Sequence, residues 1–371
     1  MSTSSVIRLR NSMDASKRYH SLDLLKFILS ILIVFHHFQQ DIAISFRYIN
    51  FFDGVFNFAY CVELFFMISG FLSMNGREKI ENSSFKDFLF GKIRRFFPMC
   101  SLSILFMLVL EFVFFMISGS WYHGLKPDIY KVFNSFLMTF SGGSILSGRG
   151  INNPLWFLSV LLKCQIILWL LVKACKKHKI DLIYPSFVMV SIGISVISYE
   201  INLPFLNEEV ARGYAAFFLG IILYKLYRNV DLDRFSFLSF GALLICFVLG
   251  VIDHAMFYHY EWGTYTLVVL PCVLFTALYF EKFLKPGLSD TLGKVSFEIY
   301  VWHASFIYLL EIIFLLVPGM RETAEPHLLM ALFTLAVLVF SFAMYRFVEK
   351  KAERCFLKMI DFFKAKNGGV K

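Results

Sequence analysis

Lys26 and His37 are the residues whose types and spacing point first to chemistry. They stand eleven positions apart in LDLLKFILSILIVFHHF, a run that is otherwise almost wholly apolar. Eleven helical steps of about 100° end about 20° beyond three full turns, so the two side chains share a face. They lie about 16 Å apart along the axis, roughly half of a hydrocarbon core. An ammonium and an imidazole on one face of a membrane helix are costly unless they line a polar, water-accessible slot. That pairing points to chemistry inside the membrane. His36 points about 100° away, toward a neighbouring helix or the interface.

The elements that must position this pair are read from the apolar runs. Of 371 residues 58% are hydrophobic, 17% are charged and 46 are Phe. A soluble domain could not bury that much apolar surface, whereas lipid can solvate it. Ten stretches are long enough to span, at 22–39, 54–74, 99–118, 155–174, 182–199, 210–228, 235–252, 263–284, 295–316 and 327–348. The fold expected is an all-α polytopic membrane protein, a bundle of about ten transmembrane helices. The net charge of +9 needs no nucleic acid. Lys and Arg gather before the first stretch and after the second, fourth, sixth, eighth and tenth. The intervening loops are poor in them, which puts both termini in the cytoplasm, Lys26 toward the inner surface and His37 toward the outer one. The division expected is a cytoplasmic N-terminal segment at 1–21, a transmembrane domain at 22–348 and a cytoplasmic tail at 349–371. The first stretch has a basic leader but no small-residue cleavage site, so it reads as a retained span. The seven Cys show no CxxC or metal-ligand spacing and read as packing residues; no metal is expected. The Asn82-Ser83-Ser84 sequon falls in an expected cytoplasmic loop and should be silent.

Further polar residues fall inside the stretches: Glu63, Glu111, Lys163, Glu298, His303 and Glu311. Pairing between helices and a role in function both remain open for Glu63, Glu111, Lys163 and Glu311, because their spacing selects neither. His303 lies about eight residues into the ninth stretch, hence in the inner half. Before the third stretch, GKIRRFFPMC places Lys92 and Arg95 on one helical face. From charge alone this is an ordinary inner-surface cluster touching anionic lipid; the other reading is a phosphate clamp. Trp156, after Pro154, reads first as an interfacial anchor and second as a stacking surface for a sugar ring. Arg149 either contacts an anionic sugar or faces solvent, and for Asp253-His254 solvated surface is the default.

At these residues the chain resembles the acyltransferase-3 family of integral membrane acyltransferases, nearly end to end. LDLLK followed by ten residues and His37 resembles its Arg/Lys-x10-His motif. ELFFMISGFLS from Glu63 is similar to its FFxxSGF signature, and Lys92-x-x-Arg95-x-x-Pro98 to its Arg-x-x-Arg-x-x-Pro element. PLWFLSVLL from Pro154, GKVSFEIYVWHASF from Gly293 and YRFVEK from Tyr345 match three further segments in order. Lys92 stands where Arg is usual, and Phe297 where Tyr is usual. The resemblance is to stand-alone members without a fused SGNH-type domain.

The resemblance implies a multi-pass protein of the cell membrane, a bacterial inner membrane or a plasma membrane. The activity implied is transfer of an acyl group, usually acetyl, from acyl-CoA to a hydroxyl of a cell-surface or lipid-linked carbohydrate. In that scheme acetyl-CoA is the acyl donor, and Lys92 and Arg95, with Arg94, hold its phosphates. His37 is the catalytic base, or carries the acyl group as an intermediate, and Lys26 lines the path. Trp156 and Arg149 then belong to the carbohydrate side, and His303 either makes a structural hydrogen bond or contacts the coenzyme. The partners implied are the carbohydrate, acyl-CoA and the bilayer, with no nucleic acid; oligomeric state is not legible. The competing class is a proton-coupled transporter of a small metabolite or glycan precursor. It is disfavoured because no clear pair of broken helices is visible.

Overall fold

The computed structural model describes residues 18–42, 52, 58–124, 126–139, 150–252 and 262–368. Arg149 and the Asp253-His254 pair lie outside them. Every one of the ten apolar stretches is occupied by a helix. Among the described residues eight helices are long and apolar enough to cross a membrane. The two further stretches hold Ile183–Ser198, sixteen residues, and Leu232–Ile252, twenty-one residues. No named strand occurs among the described residues, only an isolated bridge between Leu203 and Leu206. The physical reason is general: a helix satisfies its own N–H and C=O groups where lipid offers no partner.

The helices are α1 (His20–Ile42), α2 (Cys61–Asn75), α3 (Arg77–Asn82), α4 (Phe85–Ser118), α5 (Ile129–Leu137) and α6 (Trp156–His178). They continue as α7 (Ile183–Ser198), α8 (Glu208–Asn229), α9 (Leu232–Ile252), α10 (Leu270–Phe280), α11 (Leu288–Leu316), α12 (Pro326–Ala343) and α13 (Glu349–Gly368). A π-helical turn, Tyr265–Val269, leads into α10. Side-chain caps start several of them. Ser84 Oγ accepts from Asp87 N, Asn207 Oδ1 from Val210 N, and Glu325 from Leu328 N ahead of Pro326. The first turn of α1 is capped from a distance: the Glu281 carboxylate accepts from the backbone N–H of His20 and of Ser21, at 3.1 and 2.8 Å.

Two boundaries differ from the sequence expectation. The third span begins at Phe85 rather than 99, because the helix runs straight through Pro98, which is buried. Beyond 348, residues of the expected tail form α13, joined to α12 by a π-helical turn at Met344–Val348. It packs on α4 through Arg94–Glu353 at 3.0 Å and the Phe97–Phe356 rings at 5.1 Å.

The core holds α1 beside α11 and α2 beside α8. Small residues permit both contacts. A Cβ on Gly70 would sit 1.9 Å from the Phe217 carbonyl oxygen, and one on Gly293 would sit 2.5 Å from Asp23 Cβ. Close backbone approach is how helices gain dispersion energy where lipid removes the hydrophobic drive. The free Cys61, Cys100, Cys164 and Cys175 are buried.

Candidate active site

Both α1 and α11 start at the end of the bundle where the basic loops lie, and they run side by side. Near that end Lys26 Nζ is 2.6 Å from Asp23 Oδ1, and Arg18 Nε is 2.6 Å from Asp23 Oδ2. Three turns further along, His37 is half-buried. Its Nδ1 lies 2.9 Å from Gln40 Oε1. An amide oxygen only accepts, so Nδ1 carries the hydrogen and Nε2 keeps a lone pair.

Against the His37 ring lies His303 of α11, stacked at 5.2 Å between centroids and 27° between planes. His303 is fully buried. Its Nδ1 is 2.8 Å from the Tyr300 carbonyl and 3.3 Å from the Ile299 carbonyl, which fixes the same tautomer, and its Nε2 has no partner. The sequence reading put His303 in the inner half. Because α11 begins at Leu288, seven residues before the expected span, His303 is about 22 Å into the helix and level with His37.

A cavity of about 550 Å³ opens between α2, α3, α4, α6 and α11. Four cations line it: Lys26, Lys79, Lys92 and Arg95, with Asp87 as the facing carboxylate. Lys92 and Arg95 come from one face of α4, as their spacing predicted. Among the described residues, Lys79, Lys92 and Arg95 form no ion pair with a carboxylate. Arg94 is not in the lining; it turns to Glu353. The deep end is closed by Phe65, Phe157 and Tyr300. Tyr300 is fixed there, its hydroxyl donating to the Pro154 carbonyl. Its ring is 5.8 Å from that of His303. Lys26 therefore belongs to the cavity, while His37 and His303 lie beyond its aromatic end.

At the opposite end of the bundle the sequence reading missed Arg212. This guanidinium forms a two-pronged contact with Glu63, at 2.5 and 3.1 Å, and also donates to the Ala59 carbonyl at 3.2 Å. Trp262 Nε1 donates to the same carboxylate at 2.8 Å. The guanidinium also lies 5.1 Å from the Trp156 ring centroid, so Trp156 already stacks on a cation of its own chain. The signal was available: an Arg inside the run at 210–228. Glu311 pairs with Arg321, and Lys163 Nζ donates to Ser159 Oγ at 2.9 Å. Glu298 is buried and accepts from Trp302 Nε1 at 3.0 Å.

Asn152 was also missed. It is fully buried in the segment before α6, where Nδ2 donates to Ser103 Oγ at 2.5 Å and to the Val301 carbonyl at 3.0 Å. It thus ties α4 and α11 together beside Tyr300. Among the described residues no group of three or more His, Cys, Asp or Glu is placed to hold a metal ion.

The site combines an anion-receptive cavity at the basic end with two imidazoles at its far side. No curated protein and no solved structure matches the chain. The family model described as an acyltransferase domain matches residues 19–346, from just before α1 into the π-helical turn after α12, and on that match the chain belongs to the acyltransferase-3 family of membrane acyltransferases.

Proposed function

We propose that the protein moves an acyl group, acetyl first among the candidates, from cytoplasmic acyl-CoA to a hydroxyl of a cell-surface or lipid-linked carbohydrate. The observation that carries this reading is the cavity, where three cations that form no close ion pair among the described residues surround a space of ligand size. Such a set suits a phosphorylated donor: Arg95 offers a fork to phosphate oxygens, and Lys92 a point charge. Lys26, already paired with Asp23, contributes polarity deeper in the wall. The alternation of basic loops supports a cytoplasmic placement of this end, where acyl-CoA is available.

In this scheme His37 Nε2 takes the proton of the acceptor hydroxyl as its oxygen bonds to the thioester carbonyl carbon. The C–S bond then breaks, and His37 returns the proton to the departing thiolate, ending neutral. Gln40 holds the required tautomer. The aromatic end of the cavity must yield for the thioester to reach His37. Phe65 is the half-buried member of that end, whereas Phe157 and Tyr300 are buried.

The test is purified protein in lipid nanodiscs with acetyl-labelled acetyl-CoA and a panel of cell-envelope glycans. The expected result is label bound covalently to a glycan hydroxyl. Label carried across the membrane without covalent transfer would replace this reading with transport.

A further inference from the structure

The cavity is long and ordered along its axis. On α2 alone its lining runs from Phe65 to Ser73, about 12 Å of helix, and continues to Gly76 at the turn into α3. The deep end is aromatic, the middle carries Lys26, Lys92 and Arg95, and the mouth is built by α3 and the start of α4. Lys79 and Asp87 are the charged groups at that mouth, and both are exposed.

The charges around α3 are divided in a way that singles out Lys79. Glu81 takes up its neighbours: Arg77 Nε at 2.7 Å, Lys176 Nζ at 3.7 Å, and its carbonyl accepts from Lys173 Nζ at 2.7 Å. Among the described residues Lys79, on the same short helix, has no such partner, and it lines the cavity instead. An acyl-CoA thioester has a fixed order: thioester at one end, diphosphate in the middle, 3′-phosphorylated adenosine at the other. If the thioester goes deep toward the imidazoles, the diphosphate falls at Lys92 and Arg95, and the 3′-phosphate falls at the mouth.

We propose that Lys79 forms a subsite at the cavity mouth for a phosphomonoester, the 3′-phosphate of the acyl-CoA donor. This deepens the proposed function and rests on it. A lysine suits the task because a compact ammonium is a point charge for a dianionic group that stays partly hydrated. Asp87, which also lines the mouth, offers an acceptor to hydrogen-bond donors of the adenosine. The same phosphate chemistry is also present in lipid headgroups.

Calorimetry of the full chain in nanodiscs separates these sources, with CoA and dephospho-CoA as probes. Wild-type protein should bind CoA about five- to tenfold more tightly than dephospho-CoA, on the order of 1 kcal/mol. Lys79→Ala should erase that difference and Lys79→Arg should keep it. Lys92→Ala should weaken both ligands yet keep their ratio. An unchanged ratio in Lys79→Ala overturns the subsite. So does a Lys79 effect that vanishes when phosphatidylglycerol is replaced by phosphatidylcholine, since the ligand is then a lipid. Failure of wild-type protein to bind either probe overturns the acyl-CoA reading itself.

Discussion

The two ends of the bundle treat positive charge differently. At the far end Arg212 is largely buried, its Nε and Nη2 bonded to Glu63 and Ala59 and its guanidinium against the Trp156 ring, while Trp262 donates to the same Glu63 carboxylate. At the basic end Lys79, Lys92 and Arg95 surround a cavity and, among the described residues, none of them is within ion-pair distance of a carboxylate, Arg95 facing Glu349 only at longer range. A cation taken out of water needs a counter-charge. Where the protein supplies one, the pair locks helices; where it leaves several cations around an open space, an anionic ligand is the missing partner. The contrast separates two classes of charge that look alike in sequence.

The largest expected effect concerns the imidazole that neither end contains. His37→Ala should lower kcat for acyl transfer by about 10²- to 10⁴-fold, the usual worth of a general base, with expression and melting in detergent unchanged. Full activity in that variant removes the base. Next comes the far-end pair. Glu63→Ala leaves a largely buried guanidinium without its paired carboxylate and should destabilise the protein by about 3–5 kcal/mol, read as thermal unfolding in detergent. Glu63→Leu with Arg212→Met should recover most of the loss. A Glu63→Ala protein of normal stability but no activity would move that pair into the catalytic site and break the comparison.

The cavity cations should behave in the opposite way. Lys92→Ala and Arg95→Ala should each raise the KM for acetyl-CoA about tenfold, or 1.4 kcal/mol, with little change in melting and none in the KM for the glycan. Equal rises for both substrates would count against a donor clamp. Arg94→Ala is the small end of the series. Its pair with Glu353 is exposed, so the loss should stay under about 1 kcal/mol of stability with the donor KM unchanged.

Much of the architecture is legible without coordinates. Apolar runs in lipid have one local solution, the helix, so all ten stretches reappear as helices. Charged boundaries were harder, because helices continue past the bilayer where the flanking sequence permits. The α4 helix does so through Pro98, and the chain after 348 does so as α13. Within the site, the shared face of Lys92 and Arg95 follows from i,i+3 spacing and reappears in the cavity wall. The shared face of Lys26 and His37 is equally a property of α1, yet an aromatic end formed by three other helices divides their surroundings.

The sequence by itself determined which segments are helical and which polar groups lie within them. It also determined which of those groups share a face, because these depend on chain-local geometry and on the cost of bare peptide groups in lipid. Only the tertiary structure decided that His303 stacks on His37, that Arg212 answers Glu63, and that Lys79 turns into the cavity while Arg77 does not. Those choices depend on how neighbouring helices are rotated and how closely they approach, as at Gly70 and Gly293. Helices apolar on nearly every side carry little record of which face will meet which neighbour.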